Sequence, residues 1–238
     1  MGLEIYYDLH APTHWLPKRV REIVEEIHDF ALTLGFAEVD AVRRNDQEAP
    51  KTMVLKEPHD AASPPTVEST EGWSFRTWPG RGCETALFGL CRFPGAIAVN
   101  GVEIPTGWGE GWHYHTGCKT QYADRVSREH FLMCHHGVIA ILDAFRARDI
   151  EVNVRDGSGY WEHRDDTELA KQLDEWNRIV AAVAGAIKDA ADELDGVVSP
   201  IFSAPDFERM EAEGREDIRR KRQTTEDTPG KGRNRGSS

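Results

Sequence analysis

The sequence predicts an α+β protein, with a mainly antiparallel sheet and helices packed on one face of it. Two observations predict this class. A strand, helix, strand pattern occurs at 3–42 and again at 111–154. Residues 72–122 read as successive strands without an intervening helix, which argues against a doubly wound parallel sheet. Seven Trp and nine Phe in 238 residues supply enough apolar area for a sizeable core.

The first pattern begins with residues 3–9, in which apolar and polar residues alternate as in a strand. Apolar residues then recur at steps of three and four, which predicts an amphipathic helix. They are Leu16, Val20, Ile23, Ile27 and Leu34. Gly35 follows at the position of a C-terminal cap, and residues 36–42 predict a second strand.

The middle of the chain is predicted to be rich in strands. Residues 45–72 carry four prolines and read as a long loop with one edge strand at 53–55. Two further strands are predicted within 73–93, on either side of a turn. Asn100-Gly101 lies between two apolar runs and predicts a two-residue hairpin turn, because both residues tolerate positive φ.

The second pattern and the C-terminal part follow by the same criteria. The predicted elements are a strand at 111–122, a helix at 127–147, a strand at 150–154, a return strand at 160–164, a helix from about 166 and a charged helix at 207–222. Helices on one face of an antiparallel sheet fit this order, as in ferredoxin-like βαβ units with inserted hairpins.

Composition divides the chain into a body and a tail. We predict a single α+β domain over 1–205, a charged C-terminal helix over 206–222 and a disordered basic tail over 223–238. Residues 1–214 hold 21 basic and 37 acidic side chains, a net charge of −16, whereas 215–238 hold eight and four, a net charge of +4. The acidic body is therefore predicted not to bind nucleic acid, whereas the tail could bind it.

Compartment is predicted from apolar segments and cysteines. The sequence has no run of 18 apolar residues, which predicts that the protein has no membrane partner. Its N-terminus has no basic region followed by an apolar one, so a secretory signal is not predicted. Four cysteines without a CxxC pair predict reduced thiols. We expect a soluble, cytoplasmic protein.

Potential metal ligands are concentrated between Trp112 and His136, whereas the sequence lacks the common phosphate-binding, dinucleotide-binding and zinc-protease motifs. On a strand, His113 and His115 point to the same face about 7 Å apart. That spacing suits two imidazoles on one metal ion such as Zn²⁺, with a third ligand from elsewhere. An exposed polar strand face is the alternative interpretation.

The position of His135 is unusual for a structural residue. Counted from a strand end near Ala123 and a helix start near Ser127, it should lie level with Cys118. The same count puts His113 too far away to share a site with His135. On the helix, His135 falls within the apolar face, where an imidazole needs a hydrogen-bond partner or a chemical role.

These positions suggest a small-molecule-binding protein or enzyme with a Cys/His site. Cys118 would be a thiolate nucleophile and His135 its base, with Lys119 or Glu162 nearby. Asp156, His163 or Glu162 could orient the imidazole. Three alternatives stay open: a core histidine satisfied by backbone or by Tyr122, a zinc or other transition-metal site, and a non-catalytic interaction module that uses the acidic body or the basic tail.

Overall fold

The computed structural model describes residues 3–46, 48, 50–55, 65–190 and 207–226, with backbone only at 188–190 and 221–226. The strands in chain order are β1 (Glu4–Ala11), β2 (Glu38–Val39), β3 (Arg43–Arg44), β4 (Thr52–Val54), β5 (Thr66–Glu68), β6 (Glu71–Trp78), β7 (Ala86–Arg92), β8 (Ala96–Val99), β9 (Val102–Pro105), β10 (Trp112–Lys119) and β11 (Glu151–Asp156). The helices are α1 (Pro17–Ala31), α2 (Arg128–Arg146), α3 (Tyr160–His163), α4 (Asp166–Ala190) and α5 (Phe207–Glu226). A 3-10 helix occupies Gln121–Arg125.

The main sheet has the strand order β11-β1-β10-β7-β6-β2, and β3 also pairs with β6. Neighbouring strands are antiparallel. Because β10 and β11 both run antiparallel to β1 between them, they are parallel to each other, and α2 connects them. Separate hairpins are formed by β4 with β5 and by β8 with β9. The predicted mixed α+β class with antiparallel sheets is confirmed.

One hydrophobic core joins the sheet to α1 and α2. Alternate residues of β1 are buried, namely Ile5, Tyr7, Leu9 and Ala11. Val20, Ile23 and Ile27 of the predicted stripe enter the same core, as do the apolar positions of α2. Leu16 instead lies just before α1 and is exposed. Pro17 opens α1, and the Ser127 side chain accepts a hydrogen bond from His130 N at 3.1 Å to cap α2. Burial of each large apolar side chain contributes roughly 1.5–3 kcal/mol.

The remaining residues of β1 and β10 form a polar sheet face. Asp8 pairs with His115 and His10 with His113 across the two strands. His10 also pairs with Glu151 of β11. Because side chains alternate along strands, register alone brings three histidines and two carboxylates onto one face.

The predicted return strand at 160–164 is wrong, since these residues form the short helix α3. The Asp156 carboxylate accepts hydrogen bonds from Ser158 N at 2.9 Å and from Trp161 N at 3.0 Å. These bonds coil the chain after β11, and Gly159 adopts a φ of +71° at the start of α3. The candidate site therefore has no hairpin at 156–164.

Four other boundaries differ from the predictions. Helix α1 ends at Ala31, before the predicted C-terminal cap at Gly35. Only Glu38–Val39 of the 36–42 segment is a strand. The 45–72 segment contains a two-stranded hairpin rather than one edge strand. The predicted 111–122 strand ends at Lys119, where the chain turns into the 3-10 helix.

The contacts divide the chain into a unit over Leu3–Asp166 and a second unit that contains Thr167–Ser238. Within the second unit, Ala181 and Ala184 of α4 pack with Met210 of α5. The predicted domain boundary at 205 lies outside the described residues. Helix α5 extends to Glu226, four residues into the predicted tail, and 227–238 are not described. None of the helices in the described part is long and apolar enough to cross a membrane.

Candidate functional site

His135 is fully buried on α2, and both of its ring nitrogens have side-chain partners. Its Nδ1 lies 3.0 Å from Thr120 Oγ1. Its Nε2 lies 3.4 Å from Ser158 Oγ and 3.5 Å from Asp156 Oδ2. The imidazole thus joins α2 to the chain at the ends of β10 and β11.

Asp156 completes this buried cluster. Its carboxylate oxygens accept from the Ser158 hydroxyl at 2.7 and 2.8 Å and from Trp161 N at 3.0 Å. Burial raises the pKa of Asp156, but hydrogen bonding and charge from His135 and the bonds from Ser158 outweigh it and lower the pKa to about 2. A buried carboxylate with this many donors is satisfied, which suits a structural cluster.

Cys118 has a hydrogen-bond partner outside this cluster. Its thiol donates to the Glu84 carbonyl oxygen at 3.3 Å. Burial, then the charges of Glu84 and Cys134, raise the pKa of the Cys118 thiol well above its ordinary value. None of the described contacts of His135 is to Cys118, because β10 ends at Lys119 and Thr120 takes the level predicted for Cys118.

The two supporting candidates do not join this cluster. Lys119 Nζ lies 3.5 Å from Glu4 Oε1 and 5.7 Å from the centre of the Tyr122 ring. Glu162 is exposed on α3, whereas His135 has no exposed surface. The structure therefore does not gather Cys118, His135, Lys119 and Glu162 into one cleft.

His113 and His115 lie on one face of β10, but their rings have different partners. His115 Nδ1 lies 2.6 Å from Asp8 Oδ1. His113 stacks on His10, with ring centroids 4.6 Å apart, and its Nε2 contacts the Glu110 carbonyl oxygen. Among the described residues, no group of three or more His, Cys, Asp or Glu side chains could hold a metal ion. Zinc binding stays a prediction.

A cleft of about 740 Å³ opens beside the stacked histidines. Its polar lining consists of His10, Thr13, Glu110, His113, Asp149 and Glu151. Glycines and prolines form the rest of the wall, at Pro12, Gly95, Pro105, Gly107 and Gly109. None of the described lining residues is Lys or Arg.

The titratable groups give this cleft a negative potential. His10 Nδ1 lies 3.4 Å from Glu151 Oε2. Hydrogen bonds from Asn153 and His10 lower the pKa of the Glu151 carboxyl, so it is ionised at neutral pH. Burial lowers the pKa of His113 below its ordinary value despite the bond to the Glu110 carbonyl, so its ring is neutral at pH 7.

Sequence reasoning found only His113 of this cleft. His10, Glu110, Asp149 and Glu151 were missed, because they come together through the pairing of β1 with β10 and β11. His10 and Asp8 alternate with apolar residues of β1, and that alternation was the one local signal.

Comparison with family models, curated proteins and solved structures gives no match to this chain. Fold analogy therefore offers no guide to function, which has to be inferred from the chemistry of the site.

Proposed function

We propose that this protein binds a small molecule with a protonated nitrogen, an amine or an amidine, in the cleft between His10, His113 and Glu151. The observation that carries the proposal is that every charged residue in the lining of this cleft is acidic. A volume of about 740 Å³ suits a small organic ligand.

The lining offers acceptors to such a cation. Glu110, Asp149 and Glu151 can accept charge-assisted hydrogen bonds from an ammonium or amidinium group. A neutral imidazole provides an acceptor nitrogen and a flat face against which a planar cation can pack. An anion would meet three carboxylates without a compensating Lys or Arg in the lining.

Net charge supports the same class of ligand. Residues 3–166 contain 17 basic and 26 acidic side chains, a net charge of −9. Such a body attracts cations over distances comparable with the Debye length, about 10 Å at moderate salt.

This proposal replaces the Cys118–His135 hypothesis as the location of a ligand site. The partners of His135 fill its ring nitrogens, and His135 does not line this cleft. Use of the basic tail or acidic body as an interaction module stays a prediction.

We also propose a ferredoxin-like core for residues 3–166. The unit β10–α2–β11 crosses over β1, which lies between its two parallel strands. The hairpin β8–β9 is then an insertion before β10. An experimental structure of this protein whose two strand–helix–strand halves align with one ferredoxin-like domain would support this description. A different strand order in that structure would contradict it.

Isothermal titration with benzamidine, neutral benzamide and anionic benzoate tests the ligand class. We expect binding of benzamidine alone, and Glu151→Gln should weaken it about tenfold by removing a charged acceptor. Glu22→Gln is the matched control, because it removes one exposed carboxylate of α1 outside the cleft. Equal affinity for benzamide, equal weakening by Glu22→Gln, or no binding of benzamidine at millimolar concentration would each contradict the proposal.

A further inference from the structure

Strand β11 forms one edge of the main sheet. In the part of the chain that the structure describes, β11 pairs with β1 alone. Gly157 N donates to Glu4 O at 3.1 Å, and this bond continues the β1–β11 register. Because backbone directions alternate along a strand, the odd-numbered residues of β11 turn their N–H and C=O groups toward β1. The N–H and C=O groups of Val152 and Val154 therefore point away from the sheet.

The same two valines leave apolar surface uncovered at this edge. They share the helix-covered face of the sheet with Leu9 and Tyr7, their partners on β1. Leu9 and Tyr7 are buried, whereas Val152 and Val154 are only partly buried. An edge strand with outward N–H and C=O groups and uncovered apolar side chains is a template for another strand.

The opposite face of β11 carries a symmetrical set of charges. Glu151, Asn153 and Arg155 are exposed and alternate with the valines along the strand. Glu151 Oε2 lies 3.4 Å from His10 Nδ1, and the Arg155 guanidinium lies 5.6 Å from the centre of the Tyr6 ring. An acidic and a basic side chain thus flank Asn153 at equal distances along the strand.

We propose that two copies of this chain pair through β11, antiparallel and centred on Asn153, so that their main sheets join into one. In this register Val152 of each copy lies opposite Val154 of the other, and their outward N–H and C=O groups bond to each other. Glu151 of each copy lies opposite Arg155 of the other, so opposite charges meet on the exposed face. Because the strand itself supplies the complementary charge, a second copy is the partner that this edge fits.

Neighbouring registers fit less well. A shift by one residue would set the outward backbone groups of one copy against the inward groups of the other. A shift by two residues would place Glu151 opposite Asn153 or Gly157, so the contact between Glu151 and Arg155 would be lost. Charge and backbone direction therefore select the same register.

The strand has six residues, and a pairing of this length buries less surface than a stable interface, so we expect a weak, reversible dimer. Glu151 also lines the cleft. A cation bound there and Arg155 of the second copy would share its carboxylate, so the ligand and the second copy should compete. The pairing itself needs no ligand, and it stands or falls independently of the proposed function.

Sedimentation velocity of the ligand-free full chain, at protein concentrations from about 5 to about 500 µM, tests this proposal. We expect a reversible monomer–dimer equilibrium for the wild type. Arg155→Glu should weaken dimerisation about tenfold or more, because it sets two carboxylates opposite each other. The double variant Glu151→Arg/Arg155→Glu should restore dimerisation, since it only exchanges the charges. Glu22→Arg on exposed α1 is the matched control and should dimerise like the wild type.

A cysteine at the centre of the strand tests the register. In the proposed pairing the two copies of Asn153 lie directly opposite each other in a pair without backbone hydrogen bonds, with Cα atoms about 4.5 Å apart. Asn153→Cys should therefore form a disulfide between two copies on mild oxidation, whereas Glu22→Cys should not. A dimer of Asn153→Cys that does not form this link would contradict the register.

Three results of the sedimentation experiment would overturn the proposal. They are a wild-type chain that stays monomeric at about 500 µM, a dimer that Arg155→Glu leaves unchanged, and a folded double variant that fails to recover dimerisation. Circular dichroism checks the fold of each variant. The wild-type measurement needs no variant, so a folding defect in a variant cannot hide the answer.

Discussion

At the scale of single residues, the cluster of Thr120, His135, Asp156 and Ser158 explains why a histidine lies within an apolar helix face. Each side chain is buried, and each has a hydrogen-bond partner within the cluster. A buried carboxylate is tolerated only when donors surround it, and Asp156 receives them from His135, Ser158 and Trp161. The cluster holds the end of β11 against α2.

Removal of the imidazole should therefore be costly. We expect His135→Ala to lower the free energy of unfolding by roughly 3 kcal/mol, since it leaves the buried Asp156 carboxylate without its imidazole partner. Urea denaturation measures this change. His163→Ala is the control on exposed α3 and should stay within about 0.5 kcal/mol of the wild type. Equal losses in the two variants would contradict the structural role of His135.

Acid should weaken the same cluster. The pKa of Asp156 is about 2 in the folded protein and 3.8 ordinarily, so its ionised form stabilises the fold above pH 4. As the pH falls through 4 toward 2, this contribution of about 2 kcal/mol is lost. Unfolding free energies measured over this range should fall more steeply for the wild type than for Asp156→Asn. Asp165→Asn, at an exposed site, is the control and should keep the wild-type slope. A wild-type slope in Asp156→Asn as well would refute the assignment.

At the scale of elements, the hairpin β8–β9 follows directly from its turn residues. Asn100 and Gly101 adopt φ values of +52° and +81°. The paired strands match the apolar runs on either side of the turn, as predicted. A β-branched residue is strongly disfavoured at such φ values, although space is available around Gly101.

The turn can be tested by substitution. We expect Gly101→Val to destabilise the hairpin by about 1 kcal/mol or more, because valine must adopt a positive φ. Hydrogen exchange of the β8 and β9 amides should become faster by a factor of roughly five or more. Asn100→Gly keeps the required φ and should retain slow exchange, so equally fast exchange in both variants, or in neither, would count against this turn.

Elements that depend only on the pattern of neighbouring residues were predicted correctly. Elements that depend on a hydrogen bond from one particular side chain were not. The apolar stripe of α1, from Val20 to Ile27, and the Asn100-Gly101 turn need only neighbouring residues. By contrast, α3 forms because the carboxylate of Asp156 caps Trp161 N, a contact that strand propensity at Tyr160 and Trp161 does not reveal. Likewise, β10 ends at Lys119, earlier than predicted, so the partner of His135 is Thr120 and not the predicted Cys118.

At the scale of the whole molecule, the candidate ligand site depends on strand register across the chain. His10 meets His113 and Glu151 only because β1 lies between β10 and β11. No local pattern reports a pairing between residues more than 100 positions apart, so the sequence could indicate His113 but not its neighbours. Net charge was readable from the sequence and agrees with an acidic cleft.

NMR of the histidine rings during addition of benzamidine tests the cationic-ligand cleft most directly. We predict that the ring signals of His10 and His113 shift in a saturable manner, while His163 on α3 stays unchanged as an internal control. Neutral benzamide at the same concentrations should shift none of them. Shifts of His163 equal to those of His10, or the same response to benzamide as to benzamidine, would contradict a cleft that selects cations.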